Sequence, residues 1–428
     1  MLGNLAVSKG PLNKLRCLFF SSGTLPPKVV NSLGFSLTSV QASSCLKELK
    51  LANCSLSYLP DEIGNLISLQ SLDLRQNNLI TLPDRICNLT CLESLNLGCN
   101  NVSHLPSEIG RLTLLSYLNL GFLPEPEYPF CKSLKLQCKR SLTLPDSFWS
   151  LTGLWSLSFD GCDLSHLPRE IGNLVSLMDL SLKGTNICTL PDSISNLDGL
   201  IILTLFDCAK LQSLPKLPRR CRVFAEDCAS LESLPLELDQ LGRKMTCSGS
   251  NKLVENDFAN RLLKQLHRSK GLAEIEKVVD VTVPSVGDVP IWFPFQGKGS
   301  YISFVVPPLA KQKMLGVICN KIEKRVYPNM VQTFYTSTCQ DQVWLRYTPQ
   351  GYSGWHLEGG DEVEISILSD HASMVKNWGV DLIYEVDENI TKTNENQEAL
   401  IQYTSALNHN ALGKNPLVFF SFQTTIGA

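Results

Sequence analysis

The chain has 428 residues, 43% hydrophobic and 18% charged, which is enough for two or three domains with a large core. A formal net charge of -3 nominates neither nucleic acid nor a membrane surface as a bulk partner. No stretch reaches the ~18 consecutive apolar residues of a membrane span, and the first twenty residues lack the apolar core and cleavage site of a signal peptide.

Residues 1–45 hold one fragment with a leucine rhythm, Leu15, Leu18 and Phe20, which reads as a ragged repeat remnant followed by a loop. From Leu46 the rhythm becomes strict. The stretch "LKELKLANCSLSYLPDEIGNL" returns 23 residues later as "LQSLDLRQNNLITLPDRICNL", and again from Leu92. The frame is LxxLxLxx(N/C/T)x(L/V/I)xxLP. It is filled by Leu46, Leu49, Leu51, Cys54, Leu56 and Leu59-Pro60, then by Leu69, Leu72, Leu74, Asn77, Leu79 and Leu82-Pro83. Further units start at Leu92, Leu115, Leu154, Leu177 and Leu200. A degenerate one uses Val223, Ala225, Cys228, Leu231 and Leu234-Pro235.

A period of 23 with this frame is the signature of a leucine-rich-repeat solenoid. Each L-x-L alternation predicts a short strand with leucines inward. The Asn, Cys or Thr predicts a side-chain ladder between turns, and LP predicts the start of a short helix. One unit cannot bury its leucines alone, so the units must stack. The fold class expected over 46–240 is therefore an α/β solenoid of about eight repeats, with parallel strands on its concave face.

Residues between the leucines are free to vary, and those pointing outward from the strands are the candidate protein-binding set. They are Glu48, Lys50, Ser71, Asp73, Arg75, Asn96, Tyr117 and Asn119, then Ser158, Asp160, Asp179, Lys183, Thr204, Phe206, Asp207, Phe224 and Glu226. Any one of them can equally be a solvated position. The surface as a whole is what solenoids use to grip macromolecules. Sixteen extra residues interrupt the fourth unit near 121–140, with three prolines at one end and Lys132, Lys135, Lys139 and Arg140 at the other. This is either a binding loop or a tolerated surface excursion.

After Pro235 the leucine frame stops. Leu253, Phe258, Leu262, Leu263 and Leu266 share one helical face, so 241–277 reads as a helical connector. From 278 to 387 short alternating stretches ("SYISFVV", "QVWLRY", "DEVEISIL", "GVDLIYEV") predict an all-β antiparallel sandwich. Trp292, Phe293 and Phe295 form an aromatic group there, either core or a binding patch. Residues 388–428 read as a loose tail, with "PLVFFSF" an unplaced apolar island.

Nothing in the chain points to catalysis. It contains no GxxxxGK[ST], GxGxxG or HExxH motif, and its six histidines stand apart. The sixteen cysteines include no CxxC pair and recur at repeat positions, as reduced thiols of a cytosolic protein would. No enzyme, metal or cofactor is expected.

Two stretches carry a more specific resemblance. "LTLFDCAKLQSLPKLPRRCRVFAEDCASLESLP" and "VPIWFPFQGKGSYISFVVPP", with "GDEVEISI" and "WGVDLIYE", resemble the C-terminal portion of plant TIR-NBS-LRR immune receptors. The resemblance implies a jelly-roll/Ig-like domain after the repeats and recognition of a pathogen effector protein. It also implies contact with a sister receptor or its nucleotide-binding domain, in the cytoplasm or nucleus. The family's TIR and nucleotide-binding segments are not matched in these residues, so their chemistry is not expected of them. The alternative is a cytosolic scaffold resembling the Ras-group leucine-rich-repeat proteins, which share LPxxIGxLxxL but not the downstream stretches.

Overall fold

The computed structural model describes residues 16–19, 45–121, 142–235, 244–259, 261–262, 279–284, 293–298, 301–306, 314–324, 341–350, 357, 359–367, 375–384 and 417–422. The chain divides into two units, Met1–Ala209 and Lys210–Ala428.

In the first unit eight strands of three residues pair in parallel, in chain order: β1 Cys17–Phe19, β2 Glu48–Lys50, β3 Ser71–Asp73, β4 Ser94–Asn96, β5 Tyr117–Asn119, β6 Ser156–Ser158, β7 Asp179–Ser181 and β8 Ile202–Thr204. Register puts the central leucines in one row: Leu18, Leu49, Leu72, Leu95, Leu118, Leu157, Leu180 and Leu203. The remnant at Leu18 thus belongs to the stack. From Leu49 on, the row is buried, as is the second row of Leu51, Leu74, Leu97, Leu120, Phe159, Leu182 and Leu205.

Asparagine closes the polar account of the early turns. Asn77 Nδ2 donates to the carbonyls of Leu51 and Leu74, while its Oδ1 accepts from the amides of Cys54 and Leu56. Asn100 repeats this toward Leu74, Leu97 and Leu79. A buried backbone amide without such a partner would cost about 1–3 kcal/mol. Past the interruption the ladder is thinner: Cys162 reaches Leu120 O, Thr185 reaches Leu182 O, and Cys208 reaches Leu182 O and Thr185.

The short helices after LP are 3-10 turns, such as Asp61–Asn65, Asp84–Asn88 and Asp192–Asn196. Each proline sits just before the turn in extended backbone and offers its carbonyl to the third residue on, as Pro60 does for the Ile63 amide. Only five residues separate proline from the returning leucine, which is room for a tight turn and no more. Ile63, Ile86, Ile109, Ile171 and Ile194 plug the core from this side, with Phe148 in the same role after the interruption. Gly64, Gly110 and Gly172 let adjacent turns approach closely; a Cβ on Gly64 or Gly110 would overlap the carbonyl of Arg85 or Ser147.

The sixteen-residue interruption does not disturb the register. Tyr117 pairs with Ser156 as Ser94 pairs with Tyr117, and His104 bridges Thr143 just ahead of the two LP steps. The basic stretch expected to form its far end lies outside the described residues.

In the second unit, β9 (Arg222–Phe224) and β10 (Lys244–Thr246) pair in parallel and continue the repeat plan. The strand at 244–246 falls inside the stretch expected to be a helical connector over 241–277, in which Lys252–Glu255, residues 258–259 and residues 261–262 are helical. Its leucine positions are filled by Met245 and Cys247 and its ladder position by Ser250, whose hydroxyl donates to Ala225 O. Substitution at every marker hid this unit. Leu253, Phe258 and Leu262 are buried, as their shared face predicted.

The remaining strands are β11 Val279–Pro284, β12 Phe295–Lys298, β13 Tyr301–Val305, β14 Met314–Lys324, β15 Asp341–Pro349, β16 Glu362–Ile367, β17 Val375–Tyr384 and β18 Leu417–Phe422. On one edge β11 pairs parallel with β10, and on the other antiparallel with β15, followed by β14, β17 and β12. Parallel repeat pairing therefore becomes antiparallel at this one strand. The second sheet is mixed: β13 is antiparallel to β16, and β18 is parallel to it. The island "PLVFFSF" is thus an edge strand within the stretch expected to be a loose tail.

Candidate functional site

The L-x-L alternation that buries the leucines turns the residues between them outward. Parallel register lines these up as columns. One runs Glu48, Ser71, Ser94, Tyr117, Ser156, Asp179, Ile202, and the next Lys50, Asp73, Asn96, Asn119, Ser158, Ser181, Thr204. Two residues past each strand's end stands a third set that includes Arg75, Asp160, Lys183 and Phe206.

Several candidates have work inside their own strand. Asp73 Oδ1 accepts from the Arg75 amide, Asn96 from Gly98, Asn119 from Gly121, and Ser158 Oγ from Asp160. These side chains tie down the strand ends before the chain turns away. Asn119 is buried, so its assignment as a contact residue is corrected to a structural one. Arg75 also pairs with Asp73 at 3.3 Å and Lys50 with Glu48 at 3.9 Å. The second pair is largely exposed and contributes little.

On the later rungs carboxylates gather. Asp160 accepts from the Ser181 hydroxyl and the Lys183 amide, yet burial still holds its carboxyl above the ordinary range. Burial, then the charge of Asp160, raises Asp179. Burial raises Asp207 as well, opposed by Lys183. The Lys183 ammonium lies 6.0 Å from the Phe206 ring.

In the second unit Arg222 stacks 5.5 Å from the half-buried Phe224. Glu226 is buried and accepts from Thr246 Oγ1 between neighbouring turns, so its role as a contact residue is also corrected. Of the aromatic group, Phe293 is buried, and the half-buried Phe295 stacks at 4.3 Å on the buried Phe304, joining β12 to β13. Trp292 lies outside the described residues. Among the described residues no cluster of His, Cys, Asp or Glu could hold a metal ion, and no helix is long and apolar enough to cross a membrane.

One surface was missed from sequence. The residue just before each strand is polar on the early rungs: Lys47, Gln70, Glu93 and Ser116. Gln70 and Glu93 bond side chain to side chain there. On β6, β7 and β8 the same column reads Trp155, Met178 and Ile201, exposed by 47%, 41% and 37%. Listing the frame's second letter repeat by repeat would have revealed it.

The architecture is a stack of parallel-strand repeats, and residues 15–137 match the family model described as a leucine-rich repeat region. Comparison with curated proteins finds no match. Among solved structures the chain is similar to a leucine-rich-repeat protein of Leptospira interrogans, with 26% identity and a TM-score of 0.37 over 53% of this chain and 60% of that one. The leucine-rich-repeat domain of the type III effector XopL matches at 24% identity and a TM-score of 0.34, over 44% and 70%. The Arabidopsis receptor kinase HAESA, in complex with the peptide hormone IDA and the co-receptor SERK1, matches at 24% and 0.33, over 54% and 38%. The chain thus spans less than two thirds of the Leptospira protein and of the plant receptor.

Proposed function

We propose that this chain is a non-catalytic recognition module that binds a protein through the outward face of its repeat strands. One observation carries the reading. On rungs β2 to β8 the inward leucines hardly change, while the outward columns change in size, charge and polarity from rung to rung. Burial accounts for the constancy, and a wall of unlike side chains in fixed register is suited to one partner's surface.

The finer reading follows the resemblance of "DCAKLQSLPKLPRRCRVFAEDCASLESLP" and "VPIWFPFQGKGSYISFVVPP" to plant TIR-NBS-LRR receptors. On it the partner is a pathogen effector protein, the strands from β11 onward form the jelly-roll domain, and the compartment is the cytoplasm or nucleus. A sister receptor's nucleotide-binding domain is the second partner. The test is split-luciferase complementation in leaf tissue between this chain and a panel of effectors. The variants Lys50→Glu, Asp179→Lys and Thr204→Arg alter the wall without touching the asparagine ladder. Complementation lost in these variants at an unchanged urea midpoint supports the reading. Complementation that survives all three overturns it.

A further inference from the structure

The exposed column Trp155, Met178 and Ile201 has no structural reason to be apolar. Register is identical on the early rungs, where Lys47, Gln70, Glu93 and Ser116 occupy the same place. The rungs are locked together beneath the column: the Met178 and Asp179 amides donate to Trp155 O, and those of Ile201 and Ile202 to Met178 O. The three side chains therefore stand one strand spacing apart, about 4.8 Å per rung. Leu114 and Val175, exposed by 55% and 61%, lie on the turns leading into β5 and β7. Exposed apolar strips of this kind mark interaction sites.

Spacing selects the occupant. An α-helix laid along the stacking direction brings side chains i, i+4 and i+7 to one face at about 5.4 Å per turn, close to the rung spacing. An extended segment presents same-side residues about 6.7 Å apart and falls out of step by the third rung. Charge selects its flank. Asp179 follows Met178 directly at the start of β7, whereas Asp160, Lys183 and Asp207 stand past the far ends of their strands. Basic side chains beside the apolar stripe would meet the Asp179 carboxylate, whereas acidic ones would be repelled by it.

We infer that Trp155, Met178 and Ile201 are the docking ridge for an amphipathic helix of a protein partner, apolar at i, i+4 and i+7 and carrying lysine or arginine toward Asp179. The inference rests on the protein-binding reading above and specifies where and in what form the partner arrives.

The test is selection of a displayed library of helical peptides on the full chain, with counter-selection on the triple variant Trp155→Ser, Met178→Ser, Ile201→Ser. All three positions are exposed, and an unchanged urea midpoint for the variant establishes that it folds. Enriched peptides should carry Leu, Ile or Phe at i, i+4 and i+7 with flanking Lys or Arg. Their affinity should fall at least tenfold on the triple variant, and at least threefold on Asp179→Asn. Enrichment of alternating or acidic sequences overturns the inference, as does equal binding to the triple variant or no enrichment at all. Effector complementation that is lost with Lys50→Glu but intact in the triple variant would sink the ridge and leave the broader reading standing.

Discussion

The repeats on either side of the interruption near 121–140 share one frame and one register but are held differently. Before it, Asn77 and Asn100 each serve several buried backbone groups in adjacent turns, and the column ahead of the strands is polar and bonded to itself. After it, the ladder is Cys162, Thr185 and Cys208 with fewer and weaker bonds, and around β6 buried aromatics join the leucine core. Phe148 lies 4.9 Å edge-on from Trp149 and 6.2 Å from Phe159. The column ahead of the strands, polar on the early rungs, turns apolar on the later ones at Trp155, Met178 and Ile201. Backbone closure by side-chain hydrogen bonds and core filling by large rings are alternative ways to stabilise a turn.

The sharpest way to break that comparison is to remove the ladder on each side. Asn77→Leu strands four buried backbone groups and should lower stability by about 3 kcal/mol or more, whereas Cys208→Ala should cost roughly 1 kcal/mol. Urea unfolding of the two variants measures both, and equal losses would mean the halves are held alike. A smaller effect probes the close approach of neighbouring turns. Gly110→Ala should cost about 1–3 kcal/mol because its Cβ meets the Ser147 carbonyl. Gly199→Ala, with neighbours at 3.5 Å or beyond, should stay within about 0.5 kcal/mol. Matching urea midpoints for these two would refute tight packing at Gly110.

The smallest effect concerns the later carboxylates. Burial, then Asp160, raises the Asp179 carboxyl, so the folded chain holds that proton more firmly than the unfolded chain does. Its ionisation therefore opposes folding, and the cost appears as pH rises from the unfolded value of ~3.9 through the raised folded one. Asp179→Asn should stabilise the protein at pH 7 by about 0.5 kcal/mol or less, and the gain should vanish below pH ~4. A gain that persists in acid would point to repacking instead of charge.

Much of the first unit could be read before any coordinates, because a leucine every few residues has only one way to leave water. Strand centres, ladder asparagines and the stack's tolerance of the interruption all follow from that. Legibility failed where the markers were replaced. The strand at Lys244–Thr246 uses Met245, Cys247 and Ser250 in place of Leu, Leu and Asn. Leu417–Phe422 shows too few alternations to declare a face, and its pairing with β16 is a long-range event. Among candidate contacts, direction could be read but bonding could not: Asn119 and Glu226 point along outward columns yet are enclosed by their own chain.

By itself the sequence determined the stack: period, row of leucines and identity of the outward columns, since periodic apolar residues impose a local geometry that needs no distant information. Tertiary structure alone decided which outward residues remain available and how the parallel stack turns antiparallel at β11. Those outcomes depend on residues 20 to 70 positions apart meeting across rungs and sheets, where burial and hydrogen bonding are settled by neighbours that no local pattern names.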